Sequence, residues 1–398
     1  MIRRWFRVIA ALLIVFIPAL SVHALAETEP PSSGEEREPD GDFEDELERQ
    51  LGLLDLEGFE RYCSGLGSGS FFGAESEKDL IRNIAEKGPS AETGLWDIAK
   101  ELTIGELRGS LGAVAALAGA AMLTALAGCV SGKGERSVLS FALSFAVISL
   151  SAALFASLYA SAGETVKKTA ELSEIAMPVM TTLLISSGSA SSAGIFRPLM
   201  VFLSGTVVKV ISSVVMPLVL AGGVLGLVDP LTGESRLSEL VTLIKKLAKW
   251  ILGLMSSLYF AMTALRGLTA AAYDGVAVRT AKFAVDKLVP IVGGMVGGTV
   301  DSVMSCALLI KNGLGCVTVI LLLSVLIKPL AVLASGSLVF RAAAAFSQPV
   351  ADPRAVKLLS GAADITSYLF ACVAAAGSML ALTVFVFIAA GGITAGLW

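Results

Sequence analysis

Histidine is almost absent from this sequence, since His23 is the only one in 398 residues. It lies in a stretch that is predicted below to be a signal peptide, so the mature chain would contain none. This excludes Ser-His and Cys-His catalysis and any histidine metal site. No P-loop, zinc-ligand spacing or GxSxG motif occurs either. The sequence therefore predicts a protein that is not an enzyme and that has no metal or other cofactor.

Cysteine and charge are also scarce. The five cysteines show no paired spacing, and four of them fall in apolar stretches, where cysteine is usually a small hydrophobic residue. No disulfide framework is predicted. Only 16% of the residues are charged, whereas 55% are hydrophobic and the mean hydropathy is +0.78. This composition predicts an all-α, polytopic membrane protein.

The N-terminal segment has the pattern of a secretory signal. Residues 1–26 carry a basic start, a short apolar core that Pro18 ends, and small residues before a predicted cleavage point after Ala26. An uncleaved first anchor is the alternative, and both place the next segment outside the cytoplasm. Residues 27–75 form an acidic leader that is predicted to be largely disordered. Residues 76–109 have the spacing of amphipathic helices on the outer membrane face.

The remainder, residues 110–398, is predicted to be a multi-span membrane domain, because about 20 apolar residues cross a bilayer as a helix. The third and sixth of eight candidate spans are weak and rich in glycine and serine, so a full crossing and a re-entrant loop both stay open. The eight spans are 110–129, 138–161, 177–196, 199–227, 250–270, 289–311, 314–341 and 364–392.

An internal repeat is indicated by matches at an offset of 112 residues. Pro178 corresponds to Pro290, Pro217 to Pro329, and Lys245 to Lys357. Proline removes a backbone donor and favours a kink or a helix start, so spaced prolines are informative. The predicted repeat units are 138–249 and 250–361, followed by a closing span at 364–392. Three crossings in each unit predict opposite orientations, as in inverted-repeat transporters with broken helices.

Loop charge gives the predicted orientation. With an extracytoplasmic N-terminus and eight spans, the cytoplasmic side carries the larger share of basic residues, which agrees modestly with the positive-inside rule. The predicted cytoplasmic residues are Lys133, Arg136, Arg197, Arg279, Lys282, Lys287, Arg341, Arg354 and Lys357. The predicted opposite side carries Lys167, Lys168, Arg236, Lys245, Lys246, Lys249 and Lys311. Lysines on the amphipathic stretch at 245–249 indicate contact with the lipid bilayer and not with nucleic acid.

Ionisable residues at membrane depth are the candidate functional residues, because they are costly there and usually paired or functional. Asp301 lines a polar path or pairs with a basic neighbour to hold helices together, and the second interpretation is preferred. Three lysines are also candidates for a functional role at membrane depth: Lys209, Lys311 and Lys328. The alternative for each is that its side chain extends to the lipid headgroups and has no further role. The candidates for helix packing are Gly294, Gly298, Pro178 and Pro290.

Several stretches resemble the stage III sporulation protein AE family of endospore-forming bacteria. They are PVMTTLLISSGSASSAGIFRPL from Pro178, YDGVAVRTAKFAVDKLVPIVGG from Tyr273, DSVMSCALLIKNGLG from Asp301 and FRAAAAFSQPVADPR from Phe340. The resemblance covers about residues 90–395. It implies a multi-pass protein of the mother-cell membrane around the forespore. It also implies membership of a multi-subunit channel or feeding apparatus for late forespore development, and it transfers no catalytic residues.

Two functions follow as hypotheses from this reading. The first is a non-enzymatic membrane subunit of that sporulation channel complex, with the other subunits of the complex as partners and a homo-oligomer possible. The second is a self-contained secondary transporter, which the predicted inverted repeat and broken helices suggest without reference to the family. An intramembrane aspartyl protease would need two membrane aspartates, whereas only Asp301 is well placed.

Overall fold

The computed structural model describes residues 135–186, 205–229, 237–288, 293–349 and 353–389, with isolated positions between 49 and 122. Side chains are described in these ranges except at 135–144, 264–288, 293–305 and 389. The predicted signal peptide, most of the predicted acidic leader, the predicted amphipathic helices at 76–109 and Pro290 lie outside the described residues.

The described part of the chain is all-helical and contains five long helices. Four stretches are long and apolar enough to cross a membrane: Phe145–Ser186, Gly205–Val228, Cys306–Ser347 and Pro353–Ile388. This confirms the helical class and the membrane-like composition. The helices are α1 (Glu135–Ser186), α2 (Gly205–Val228), α3 (Ser238–Leu288), α4 (Gly293–Ser347) and α5 (Pro353–Ala389).

Helix α1 joins segments that were predicted to be separate. The predicted span 138–161, the polar stretch after it and the start of the predicted span 177–196 form one helix of 52 residues, with Pro178 inside it. The polar stretch does not need a break, because Thr165 and Thr169 donate hydrogen bonds to helix carbonyls four residues back, at 2.7 and 2.8 Å. Of the two predictions for Pro178, a kink or a helix start, the helix start is therefore wrong.

Helix α4 shows the same continuity. The predicted spans 289–311 and 314–341 meet in one helix of 55 residues that contains Pro329. A continuous helix cannot turn back across a bilayer, so the predicted pairs of crossings in α1 and α4 are each reduced to one. Proline within a long packed helix removes one backbone hydrogen bond, and neighbouring helices offset that loss.

Helix α2 contains a widened turn before its proline. Residues Ile211–Val215 form a π-helical turn, in which the N–H of Met216 donates to the carbonyl of Ile211, five residues back. Pro217 follows at once and has no N–H for an α-helical bond. Because the turn before Pro217 is wider, the helix continues through the proline and does not end there.

Contacts between helix ends fix their directions. Asp229, after the end of α2, accepts the N–H of Leu237 before α3 at 3.0 Å and pairs with Lys357 near the start of α5 at 3.7 Å. Arg341, near the end of α4, pairs with Asp364 of α5 at 3.3 Å. Helices α2 and α4 thus run towards one end of the bundle, and α3 and α5 start from it.

We call this end the basic end and define it by Asp229, Lys245, Arg341, Lys357 and Asp364. In the predicted repeat, α2 corresponds to the second half of α4, and α3 corresponds to α5. These corresponding helices run in the same direction, so the predicted inverted orientation of the units is wrong. The inverted orientation followed from three predicted crossings in each unit. Because the helices are continuous, each unit contains only two long helices.

The core lies between α4, α5 and α1. Leu314, Leu322 and Leu333 of α4 and Leu369 of α5 have 0% exposure. Close approach depends on small residues, as where Gly315 of α4 lies against Ile388 of α5 and Met180 of α1. Since Gly336 of α4 lies against Leu158, α1 runs from the basic end towards the opposite end, as α3 and α5 do.

Candidate polar sites in the helix bundle

Lys311 is a fully buried cation in the core, with 0% exposure. It lies on α4, and its Nζ donates to the carbonyl oxygen of Ile388 at 3.3 Å, in the last turn of α5. Lysine is favourable at a helix C-terminus, where backbone carbonyls lack partners within the helix. A buried side chain does not reach the headgroups, so snorkelling does not describe Lys311.

The other predicted lysines lie at the surface. Lys209 on α2 and Lys328 on α4 are exposed, as the snorkelling interpretation expects. Neither of them lies in the basic end or next to Lys311 in sequence. Among the described residues, the predicted lysines therefore do not gather into one site.

Several predicted site residues have described backbones but no described side chains. Gly294, Gly298 and Asp301 lie in the first turns of α4, where the spacing of four and then three residues places them on one helix face. Their contacts lie outside the described part, so the functional and packing hypotheses for them stay predictions. Pro178 lies on the exposed side of α1, and Pro290 falls between α3 and α4, outside the described residues.

The basic end holds a network that the sequence analysis missed. Arg341 reaches Asp364 at 3.3 Å and the hydroxyl of Ser367 at 3.4 Å, and Ser367 in turn pairs with Ser337 at 2.9 Å. Asp364 was overlooked, although an acid within the apolar helix α5 was a visible signal. The network ties the last turns of α4 to the first turns of α5.

Lys245 of α3 lies close to this network, because it lines a small cavity together with Ile365 and Tyr368 of α5. Burial lowers the pKa of its ammonium group, and the charge of Asp364 acts against this by raising it. The eight predicted spans would place Lys245 and Arg341 on opposite sides of the membrane. Both interact with Asp364, so that part of the predicted topology is wrong.

A second polar group lies in the core between α3 and α5. The hydroxyl of Tyr259, whose side chain is 2% exposed, donates to the carbonyl of Met379 at 2.6 Å and contacts the hydroxyl of Thr383. Thr169 and Ser173 of α1 line a cavity beside Tyr259 of about 10 Å³, enough for about one water molecule. These hydroxyl groups form a small polar seam in the described part of the core, and the cavity beside them is too small to be a passage.

Comparisons with known proteins agree on one family. A sequence model described as stage III sporulation protein AE matches residues 79–391. The stage III sporulation protein AE of Bacillus subtilis strain 168 is 31% identical over 218 residues, which is 55% of this chain and 55% of that protein. The chain thus spans about half the length of the curated relative that it matches. No solved structure matches it.

Proposed function

Because the chain belongs to the stage III sporulation protein AE family, we propose that it is a membrane subunit of the complex that joins mother cell and forespore. The match over residues 79–391 carries this proposal, since it includes all five long helices. The subunit acts without catalysis of its own, in the mother-cell membrane around the forespore, and supports late forespore development. Its partners are the other subunits of that complex.

A transporter that works alone is less well supported. That alternative depended on an inverted repeat with broken helices meeting near the membrane centre. Corresponding helices instead run in the same direction, and Pro178 and Pro329 lie inside unbroken helices. A subunit that needs neighbours fits these long helices better.

The proposed topology has six crossings instead of eight. The predicted span 110–129 enters the cytoplasm, and α1 to α5 then cross in alternate directions, with the basic end inside. This places Arg341, Arg354, Lys357 and the lysines at 245–249 together on the cytoplasmic side, as the positive-inside rule favours. The two repeat units are then related by an axis along the membrane normal, and the N-terminus is extracytoplasmic.

The internal repeat has structural support at the basic end. Asp229 and Lys357 form an ion pair, and their counterparts at the offset of 112, Arg341 and Lys245, both interact with Asp364. Arg341 and Lys245 thus lie on either side of one carboxylate, close to each other, as the counterparts of a contacting pair do in two-fold related units. We therefore propose two parallel repeat units that meet at the basic end.

Reporter labelling tests the topology. Single cysteines at Ser235 and Gln348 should both react with an impermeant thiol reagent only after permeabilisation, because both positions flank the basic end. A cysteine at Arg197, between α1 and α2 in the sequence, should react in intact cells. The eight-span arrangement predicts outside labelling at Ser235 and inside labelling at Arg197, so these two reporters distinguish the topologies. Gln348 is cytoplasmic in both arrangements and serves as the control.

The function is tested in the native host. Deletion of the gene should leave vegetative growth normal and reduce heat-resistant spores by orders of magnitude, with arrest after engulfment. A tagged chain should co-purify with other membrane proteins made during sporulation. Normal spore yield in the deletion strain would sink the sporulation role. Transport of a solute by the purified chain alone in liposomes would instead favour the transporter.

A further inference from the structure

The middle of α1, from residue 157 to residue 174, exposes a polar face, whereas the ends of this helix expose Phe145, Leu150 and Ile185. The exposed residues recur every three or four positions, so they form a single stripe along the helix. We define the α1 stripe by the following six residues: Ser157, Ala160, Glu164, Lys167, Glu171 and Glu174. None of them is a large apolar residue, and four of them are charged.

The α1 stripe lies at the depth of a membrane-crossing helix. Phe155 of α1 lies against Gly223 near the end of α2, and Gly163 lies beside Met216 in the middle of it. Thr169 and Ser173 line the core cavity together with Val207 near the start of α2. The stripe therefore runs alongside α2, whose 24 residues, about 36 Å long, cross the hydrocarbon layer.

Lipid is an unfavourable neighbour for these charges. The side chain of Lys167 is 78% exposed and that of Glu164 is 66% exposed. Each has an ion-pair partner one turn away, Glu171 at 3.7 Å and Lys168 at 2.8 Å, but exposed pairs of this kind offset only a small part of the cost of leaving water. The apolar surfaces of α2 and α3 differ from the stripe, because they expose Val224, Leu254 and Leu258, as a lipid-facing helix does.

A protein partner seated directly on the α1 stripe is also disfavoured. The centre of a protein interface is depleted in charge and holds bulky anchors such as aromatic residues or Met. The stripe offers small and charged residues only, while the nearby Leu154, Tyr159 and Ile175 are packed against the core. Water is the neighbour that satisfies exposed charges of both signs and small hydroxyl-bearing or methyl side chains.

We propose that the α1 stripe lines a water-filled path for small hydrophilic solutes through the membrane. The inference rests on the proposed function, because neighbouring subunits of the assembly keep lipid away from the stripe. The path runs along the outside of this bundle, since the core cavity beside Tyr259 has room for about one water molecule. Three of the four charges on the stripe are negative, so the wall favours neutral and cationic polar solutes over anions.

Cysteine accessibility in the assembled complex tests this proposal. In a functional chain whose five native cysteines are replaced, single cysteines are placed at Ala160 and Glu171 on the stripe. Matched controls are Val224 and Leu254 on the apolar surfaces, where a thiol cannot ionise. A charged methanethiosulfonate reagent should modify the stripe cysteines about 10-fold faster or more, because only a hydrated thiol forms the reactive thiolate.

The same membranes separate the possible outcomes. Co-purification of partners is measured for each variant, so a chain that fails to assemble is recognised independently of labelling. If the stripe cysteines in an intact assembly were modified as slowly as Val224→Cys, the proposed path would be wrong. The stripe would then face lipid or a tightly packed protein, and the proposed sporulation role would be unaffected. Fast labelling with a loss of spore formation after modification by a bulky charged reagent is the result that we expect.

Discussion

Replacing Gly315 by Leu should greatly reduce the amount of folded protein in the membrane. A Cβ at this position would lie 2.5 Å from Cγ1 of Ile388 and 3.4 Å from Cε of Met180, so a leucine has no space where α4, α5 and α1 meet. Forcing extra methylene groups into a packed core costs about 1–3 kcal/mol and sometimes more. Here three helices would have to separate at one point. We expect little mature chain by immunoblotting and, for any that is purified, a clearly lower melting temperature.

Gly253→Leu is the matched control for this substitution. It makes the same chemical change in a long helix, but nothing lies within 4 Å of a Cβ at Gly253. Because leucine is also a better helix former than glycine, this variant should accumulate normally. Equal abundance and equal melting temperatures for the two variants would show that α1, α4 and α5 do not meet at Gly315.

Truncating Tyr259 to Ala should be the second severe substitution. The ring is buried between α3 and α5, and removing a buried aromatic side chain typically costs about 3–5 kcal/mol. The new space would join the cavity that Thr169 and Ser173 line. We expect a lower melting temperature for the purified chain and loss of protection of α3 from proteolysis.

Tyr259→Phe separates packing from hydrogen bonding. It keeps the ring and removes only the hydroxyl, and the carbonyl of Met379 still accepts a bond from Thr383 at 2.9 Å. The expected cost is therefore about 1 kcal/mol, within the range for one hydrogen bond. If the Phe variant were as unstable as the Ala variant, the hydroxyl and not the ring would hold α3 against α5.

Composition was sufficient to predict helices that are long and apolar enough to cross a membrane, but local signals gave wrong boundaries between the predicted spans. The polar stretch after residue 161 suggested the end of a span. Its threonines instead donate hydrogen bonds to backbone carbonyls within α1, so the helix continues. Pro178 suggested a helix start, whereas the helix continues through it. In both cases the strength of tertiary packing decides the outcome, and packing partners are not visible in a local sequence window.

The polar contacts were harder to predict than the helices. Arg341 and Asp364 are 23 residues apart, and Tyr259 and Met379 are 120 residues apart, so these pairs exist only once the bundle is assembled. Lys311 was identified from its type and place in an apolar run, but its contact with the end of α5 required the structure. Asp301, Gly294 and Gly298 stay predictions.

The shared direction of corresponding helices has an evolutionary consequence. A unit with an odd number of crossings reverses its orientation when it is copied in tandem, so its ancestor must already have inserted both ways. Helices α2 and α4 end together at the basic end, and α3 and α5 start there. For the proposed repeat and topology, a two-crossing ancestor could be duplicated and fused in one step, with every loop still on its original side of the membrane. Such a fusion needs no ancestor with dual topology and no later change in loop charge.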